Sequence, residues 1–485
     1  MAQLKWLLII FCTAALFCSS KAQTNPPYTY QQLSKFFYGK QKDSLKKAWT
    51  CPNIYSNKAT QRKYNEIWNS RTEFITGAIE TQSFVYEPEL FGYIQNIIKQ
   101  LALANPRDIP VLPLLLIDRS PSPNAYAIGG NVIVVNLGLV YFAKSREEIA
   151  LAIAHELSHN ILNHAENAMK GQAEWLNSDE YKNSLKNVLN SKYERLTRLK
   201  KIFEGYTFTR SKHQRYHESD ADSLAIVLLK KSKIPFSAAF FLRLDSADTQ
   251  YQRPLKKPLK DYFAAYNLPI ETSWTQKRTK GLSSRNYNFS EATGIEDSLK
   301  THPDCIDRYK KTVALSDKNF LPTPIPPSIK EKTTKMLIWN IYNNTELTAC
   351  LYRILQEKDK GNSDVWYDFM MYNVFAGLCF NDKELHRFNA IGITPKEYIS
   401  KDYYQLQTML EQMPKESLQQ YFTVLQNADF WKRAPADEKG LKNMMYMLAV
   451  DPNDSEKNRW EASADYIKNN STSMYREFAE NFKKK

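Results

Sequence analysis

The stretch His155-Glu156-Leu157-Ser158-His159 constrains the fold of this chain more than any other feature. Two histidines at i and i+4 share a face only when the backbone between them is α-helical, and both imidazoles then reach one point. The neighbours Ile149, Ala150, Ala152, Ile153, Ala154 and Leu157 are apolar, so this helix is expected to be buried rather than solvated. Ser145-Arg146-Glu147-Glu148 has the Ser-x-x-Glu form of a capping box and fixes the expected start. Gly171 sets the expected end, near Lys170. Buried imidazoles need a partner, and two neutral nitrogens at this spacing make the ligand pair of a zinc ion. Glu156 lies roughly 100° round the helix from His155, beside the open metal position, where a carboxylate acts as general base toward water.

The third ligand is not fixed by the same motif. One zinc-protease pattern places a glycine three positions and a histidine six positions after the second ligand, and this chain has Leu162 and Ala165 there. His164, about 140° from the ligand face of a continuous helix, is expected to be a surface or packing residue. Farther on, Glu218 and Asp222 stand at i, i+4 on one face of an expected helix from Tyr216 through Leu229. Glu218 is the candidate ligand, with Asp222 orienting a ligand imidazole from behind. His213 and His217 compete on composition alone and lack a paired carboxylate.

The rest of the chain supplies context. Its 485 residues suggest two to three domains, and 43% hydrophobic with 24% charged residues excludes a disordered or fibrous class. The net charge of +14 is spread out, with no basic block interleaved with aromatics, so no nucleic-acid partner is expected. Residues 1–22 read as a signal peptide: Lys5, an apolar run from Trp6 to Cys18, and small residues before a cut after Ala22. A lipoprotein reading through Cys18 fits poorly after the bulky Phe17. No later stretch reaches transmembrane length, so the expectation is an extracytoplasmic protein, periplasmic or secreted, with no transmembrane segment after cleavage. Cys51, Cys305, Cys350 and Cys379 are scattered and form no metal-ligand pair; burial as small hydrophobes is expected, and up to two disulfides stay open. The pattern predicts helix over 62–104, strands over 111–117, 124–127 and 131–135 around Gly129-Gly130, and exposed helices over 173–205. Residues 245–299 are irregular, 321–328 hold four prolines, and 330–480 form a run of amphipathic helices without a fixed repeat.

Taken together, the motifs resemble the gluzincin-type zinc metalloendopeptidase family of the CAAX prenyl endopeptidases, HtpX and BepA, in layout nearest to the soluble periplasmic BepA-like members. The resemblance rests on His155-Glu156-x-x-His159, Glu218-x-x-Ala221-Asp222, and His302-Pro303 with Arg308 six positions after the histidine. Glu87-Pro88-Glu89-Leu90-Phe91-Gly92-Tyr93 and Asn124-Ala125-Tyr126-Ala127-Ile128-Gly129-Gly130 are similar as well. Covering roughly 62–315, the resemblance implies a zincin-type metallopeptidase domain with a small β-sheet or hairpin over 23–320 (core 62–315). With the Pro-rich linker at 321–328 and the all-helical domain over 329–485 that the pattern gives, the expected fold is mainly α. The resemblance also implies one Zn2+ per chain held by His155, His159 and Glu218, with Glu156 as base and Asp222 behind a ligand. His302 and Arg308 are implied either to stabilise the oxyanion or, for the histidine, to close the open metal position, and both roles stay open. Asn124, Ala125, Tyr126 and Ala127 resemble an edge strand that holds an extended substrate, with an ordinary core strand as the alternative. The expected activity is hydrolysis of internal bonds of protein or peptide substrates, in envelope quality control. The alternative is a non-catalytic zinc-binding assembly factor or chaperone. Protein partners are expected to meet the C-terminal helices.

Overall fold

The computed structural model describes residues 35–80, 84–191, 194–244, 251–275, 305–450 and 456–483. Helices dominate it, as the sequence implies, around one small sheet. The described residues open with α1 (Lys35–Ala48), α2 (Lys58–Glu80) and α3 (Pro88–Ala104). Glu87 starts α3 by accepting the Leu90 N–H at 2.7 Å, ahead of a proline whose missing N–H costs nothing at that position.

Three strands follow: β1 (Leu114–Asp118), β2 (Ala125–Ala127) and β3 (Val132–Asn136), in the order β1-β3-β2. β1 runs parallel to β3 from Leu114↔Val132 to Asp118↔Asn136, and β2 runs antiparallel to it from Ala125↔Val135 to Ala127↔Ile133. The expected hairpin is present, turning through Gly129, Gly130 and Asn131, all at positive φ. Alternate residues face opposite ways. Leu115, Ile117, Ile133 and Val135 join the main core, whereas Leu116, Val132 and Val134 pack on Leu45, Trp49, Ile75 and Ile79 of the first two helices and the loop after α1. A sheet covered on both faces explains why Val132–Val135 is an unbroken apolar run.

After α4 (Leu137–Phe142) comes the motif helix α5 (Arg146–Ile161), then α6 (His164–Asn177), α7 (Asp179–Asn190) and the 37-residue α8 (Arg195–Lys231). Two expectations need correction. The motif helix does not continue to Lys170: Asn163 takes φ 55°, the chain turns, and Gly171 lies inside α6. The helix expected from Tyr216 begins instead at Arg195. Helix α9 (Cys305–Thr312) then returns to the site, and helices from Pro327–Asn343 to Arg476–Glu480 complete the chain.

Segment 321–328 runs along the start of α5. Arg146 N–H donates to Thr323 O at 2.8 Å, Thr323 N–H donates to Glu147 Oε2 at 2.9 Å, and Ser145 bridges to Pro324. Ile325 and Ile329 belong to one apolar cluster that reaches from Val85 through Tyr372 to Ala479. The C-terminal helices therefore share a core with the elements that carry the motif. Among the described residues the cysteines are free thiols, with Cys350 and Cys379 buried as expected. No helix among the described residues is long and apolar enough to cross a membrane.

Candidate metal centre

Helix α5 is fixed at its start and buried along its length. Ser145 Oγ accepts the Glu148 N–H at 3.3 Å, and Glu148 reaches back to the Lys144 N–H at 2.6 Å, one residue before the cap itself. Ile149, Ala150, Ile153, Ala154 and Leu157 are buried, which turns His155 and His159 toward α8. There the i, i+4 pair Glu218 and Asp222 divides its work between the two sides of one imidazole.

His155 Nε2 lies 3.0 Å from His159 Nε2 and 3.3 Å from Glu218 Oε2, while His159 Nε2 lies 3.5 Å from Glu218 Oε1. On the opposite edge, His155 Nδ1 is 2.9 Å from Asp222 Oδ1. Metal–nitrogen and metal–oxygen bonds of about 2.0–2.1 Å in a tetrahedron put neighbouring donors about 3.3 Å apart. His155, His159 and Glu218 meet that spacing, and among the described residues they form the one His/Cys/Asp/Glu group suited to a metal ion. Two nitrogens facing each other at 3.0 Å need a proton or a cation between them. The donor set fits zinc.

Behind His155 stands a buried ion pair. Arg308 on α9 donates through Nε and Nη2 to both Asp222 oxygens, at 2.9 and 2.6 Å, and its guanidinium stacks on Phe241 at 4.3 Å. Arg308 Nη2 also lies 3.4 Å from His155 Nδ1. The structure thus places Arg308 on the side of His155 away from the ligand nitrogens. Burial works against ionisation of Asp222, but the hydrogen bonds from His155 and Arg308 outweigh it and hold its carboxyl below the usual range. Burial likewise pushes the His155 imidazole down, yet Asp222 and Glu218 overcome it and its metal-free pKa rises to about 9.

Glu156 is buried beside this group, and its Oε2 accepts the Ala127 N–H at 2.8 Å. β2 is an edge strand of the sheet and lies against α5, and the main chain of Ala127 meets the motif helix. Tyr126 points elsewhere, its hydroxyl donating to Asp118 Oδ2 at 3.1 Å, and Asn124 O accepts the Asn136 N–H at 3.0 Å. His302, residues 1–22 and 276–304 lie outside the described residues, as does the His213 side chain.

Residues 88–315 match the model of Peptidase family M48. They form an M48 metallopeptidase domain. A Vibrio cholerae protein described as a beta-barrel assembly-enhancing protease is 33% identical over 93 residues, a match spanning 19% of this chain and 19% of that relative. The M48 segment contains His155, Glu156, His159, Glu218, Asp222 and Arg308, and the fold brings all six together. Outside the segment, α1, α2 and the C-terminal helices brace it.

One residue at this centre differs from its expected place. His164 is buried, with Nδ1 2.7 Å from His159 Nδ1 and its ring stacked on His217 at 4.3 Å. The angular estimate assumed a continuous helix. The turn at Asn163 folds His164 back onto the ligand helix. Burial and the adjacent His217 lower its pKa to about 4, so the ring is neutral at pH 7. The signal in the sequence was Asn163, a residue type that tolerates left-handed φ.

Proposed function

We propose that this chain is an extracytoplasmic zinc-dependent endopeptidase that hydrolyses internal bonds of protein substrates, working in envelope quality control. The observation that carries the reading is the Glu156 carboxylate, buried beside the His155–His159–Glu218 donor triangle. A purely structural zinc site has no use for an unliganded carboxylate at that place. His155, His159 and Glu218 hold one ion. Zinc bound there supplies Lewis acidity toward water and the scissile carbonyl. Glu156 takes the proton of the attacking water and returns it to the leaving amine. The segment from Asn124 through Ala127, which contains the edge strand β2, aligns an extended substrate by main-chain pairing. Asp222 keeps the His155 proton on Nδ1 so that Nε2 faces the ion, and Arg308 acts through Asp222. Residues 1–22 serve as the export signal, and the helices after 328 recruit partners or substrates.

The test is metal analysis of purified protein lacking residues 1–22, with cleavage of an unfolded substrate by wild type and Glu156→Gln. Zinc near one per chain, with cleavage reduced at least about 100-fold in the variant, is the expected result. Zinc without cleavage in either form, including after His302→Ala, refutes the protease and leaves the non-catalytic zinc-binding assembly factor.

A further inference from the structure

We propose that His164 is a positioning residue of the metal centre, fixing the tautomer and ring plane of the ligand His159. The inference rests on the zinc reading above and adds a residue that the ligand motifs do not contain.

The geometry is specific about protons. His159 Nε2 faces His155 Nε2 at 3.0 Å and Glu218 Oε1 at 3.5 Å, so its lone pair is the one offered to a metal. A neutral imidazole that ligates through Nε2 carries its proton on Nδ1. That nitrogen meets His164 Nδ1 at 2.7 Å, a distance that requires one donor and one acceptor. His159 donates, His164 accepts, and the remaining His164 proton sits on its Nε2. The His164 and His159 rings meet edge-on, with centroids 4.8 Å apart and planes at 72°, a geometry compatible with an N–H···N bond between their edges. Its flat face stacks on His217 at 11°, and His217 directly precedes Glu218. One imidazole therefore ties the second ligand to the helix that delivers the third.

The two ligand histidines are thus supported differently. His155 leans on the Asp222 carboxylate, whose charge Arg308 offsets. His159 leans on a neutral acceptor. A second carboxylate behind His159 would bury one more negative charge in a site that already holds Glu156, Glu218 and Asp222.

The test compares two substitutions that separate hydrogen bonding from packing. His164→Phe keeps the ring and its stack on His217 and removes the acceptor. His164→Asn loses the ring and keeps an oxygen near the place of Nδ1. Zinc affinity is read by competition with a chelating dye, and ligand geometry by the visible spectrum of the Co2+-loaded protein. His164→Phe is expected to bind zinc about 10–100-fold more weakly with a changed Co2+ spectrum, and His164→Asn to stay much nearer wild type. The reverse order, with Phe benign and Asn harmful, means a packing role and overturns the proposal, as does equal affinity in all three proteins. A wild type that takes up no zinc overturns the metal centre itself along with this role.

Discussion

The Arg308–Asp222 pair permits a quantitative test without metal or substrate. Both side chains are buried, at 7% and 4% exposure, and two hydrogen bonds join them at 2.9 and 2.6 Å. Arg308→Leu keeps apolar packing against Phe241 but removes the guanidinium from the Asp222 carboxylate, leaving it against His155. Breaking one side of a buried ion pair costs up to about 3–5 kcal/mol when the remaining charge loses both water and partner, and the His155 contact keeps the cost for Asp222 toward the lower end. Asp222→Asn strands the guanidinium at a similar cost. The double variant strands neither, so its loss should fall short of the summed single losses by about 2–3 kcal/mol. Unfolding entropy near 2.1 cal/mol/K per residue over a chain of this length corresponds to about 1 kcal/mol per degree, hence melting temperatures about 3–5 °C lower in each single variant.

The assay is thermal unfolding of chelator-treated protein followed by circular dichroism, with all four proteins measured at pH 5 and pH 7.5. The Asp222 carboxyl is held below its ordinary value, so its stabilisation is present above that value and is lost as pH falls through the lower, folded one. Without Arg308 that carboxyl rises, and protonation relieves part of the penalty. The Arg308→Leu defect should therefore be smaller at pH 5 than at pH 7.5. Additive single losses, or a defect independent of pH, would refute the account of an interdependent buried pair.

Three further perturbations test the frame around the site. Glu438 is buried, and desolvation with Asp437 nearby raises its pKa to about 7, so the folded state holds a proton that the unfolded state releases near 4.5. Its destabilisation grows as pH rises from about 4.5 to 7; Glu438→Gln should add roughly 2–3 kcal/mol at pH 8 and little at pH 4.5, and an equal effect at both pH values in melting curves would count against it. Gly130 takes φ +60°, and a Cβ there would stand 2.5 Å from Trp49 Nε1, so Gly130→Ala should cost at least about 2 kcal/mol. Gly92→Ala, inside α3 with nothing within 4 Å of the added atom, should be neutral or stabilising by up to about 1 kcal/mol, and a denaturant titration of both glycine variants checks the contrast.

The parts of the site that follow from helical periodicity were readable in the sequence. His155, His159, Glu218 and Asp222 each sit at i, i+4 spacings that fix a face without knowledge of the tertiary fold. His164 was not readable, because its angular place depends on whether the helix continues, and a single left-handed residue at Asn163 decides that. The hairpin was announced by Gly129-Gly130, and their role against Trp49 and Glu166 emerges only from packing. The prolines of 321–328 read as a linker by composition, yet Ile325 and the main-chain bonds of Thr323 hold that segment to α5. Proline removes hydrogen-bond donors but does not prevent a side chain between two prolines from entering a core.

The charges at the centre explain why these pieces belong together. Glu156, Glu218 and Asp222 are buried carboxylates, and Arg308 is the buried cation that pairs with Asp222. Three anions against one cation leave two uncompensated negative charges in a region that excludes water, a state that is costly to maintain. Metal-free protein answers by raising the His155 pKa to about 9, recovering one of the two charges with a proton. A divalent cation between His155, His159 and Glu218 recovers both and releases that proton. The same balance assigns different partners to the ligand histidines. One carboxylate, already paired with Arg308, can stand behind His155. Behind His159 the neutral His164 supplies an acceptor without adding a third uncompensated charge.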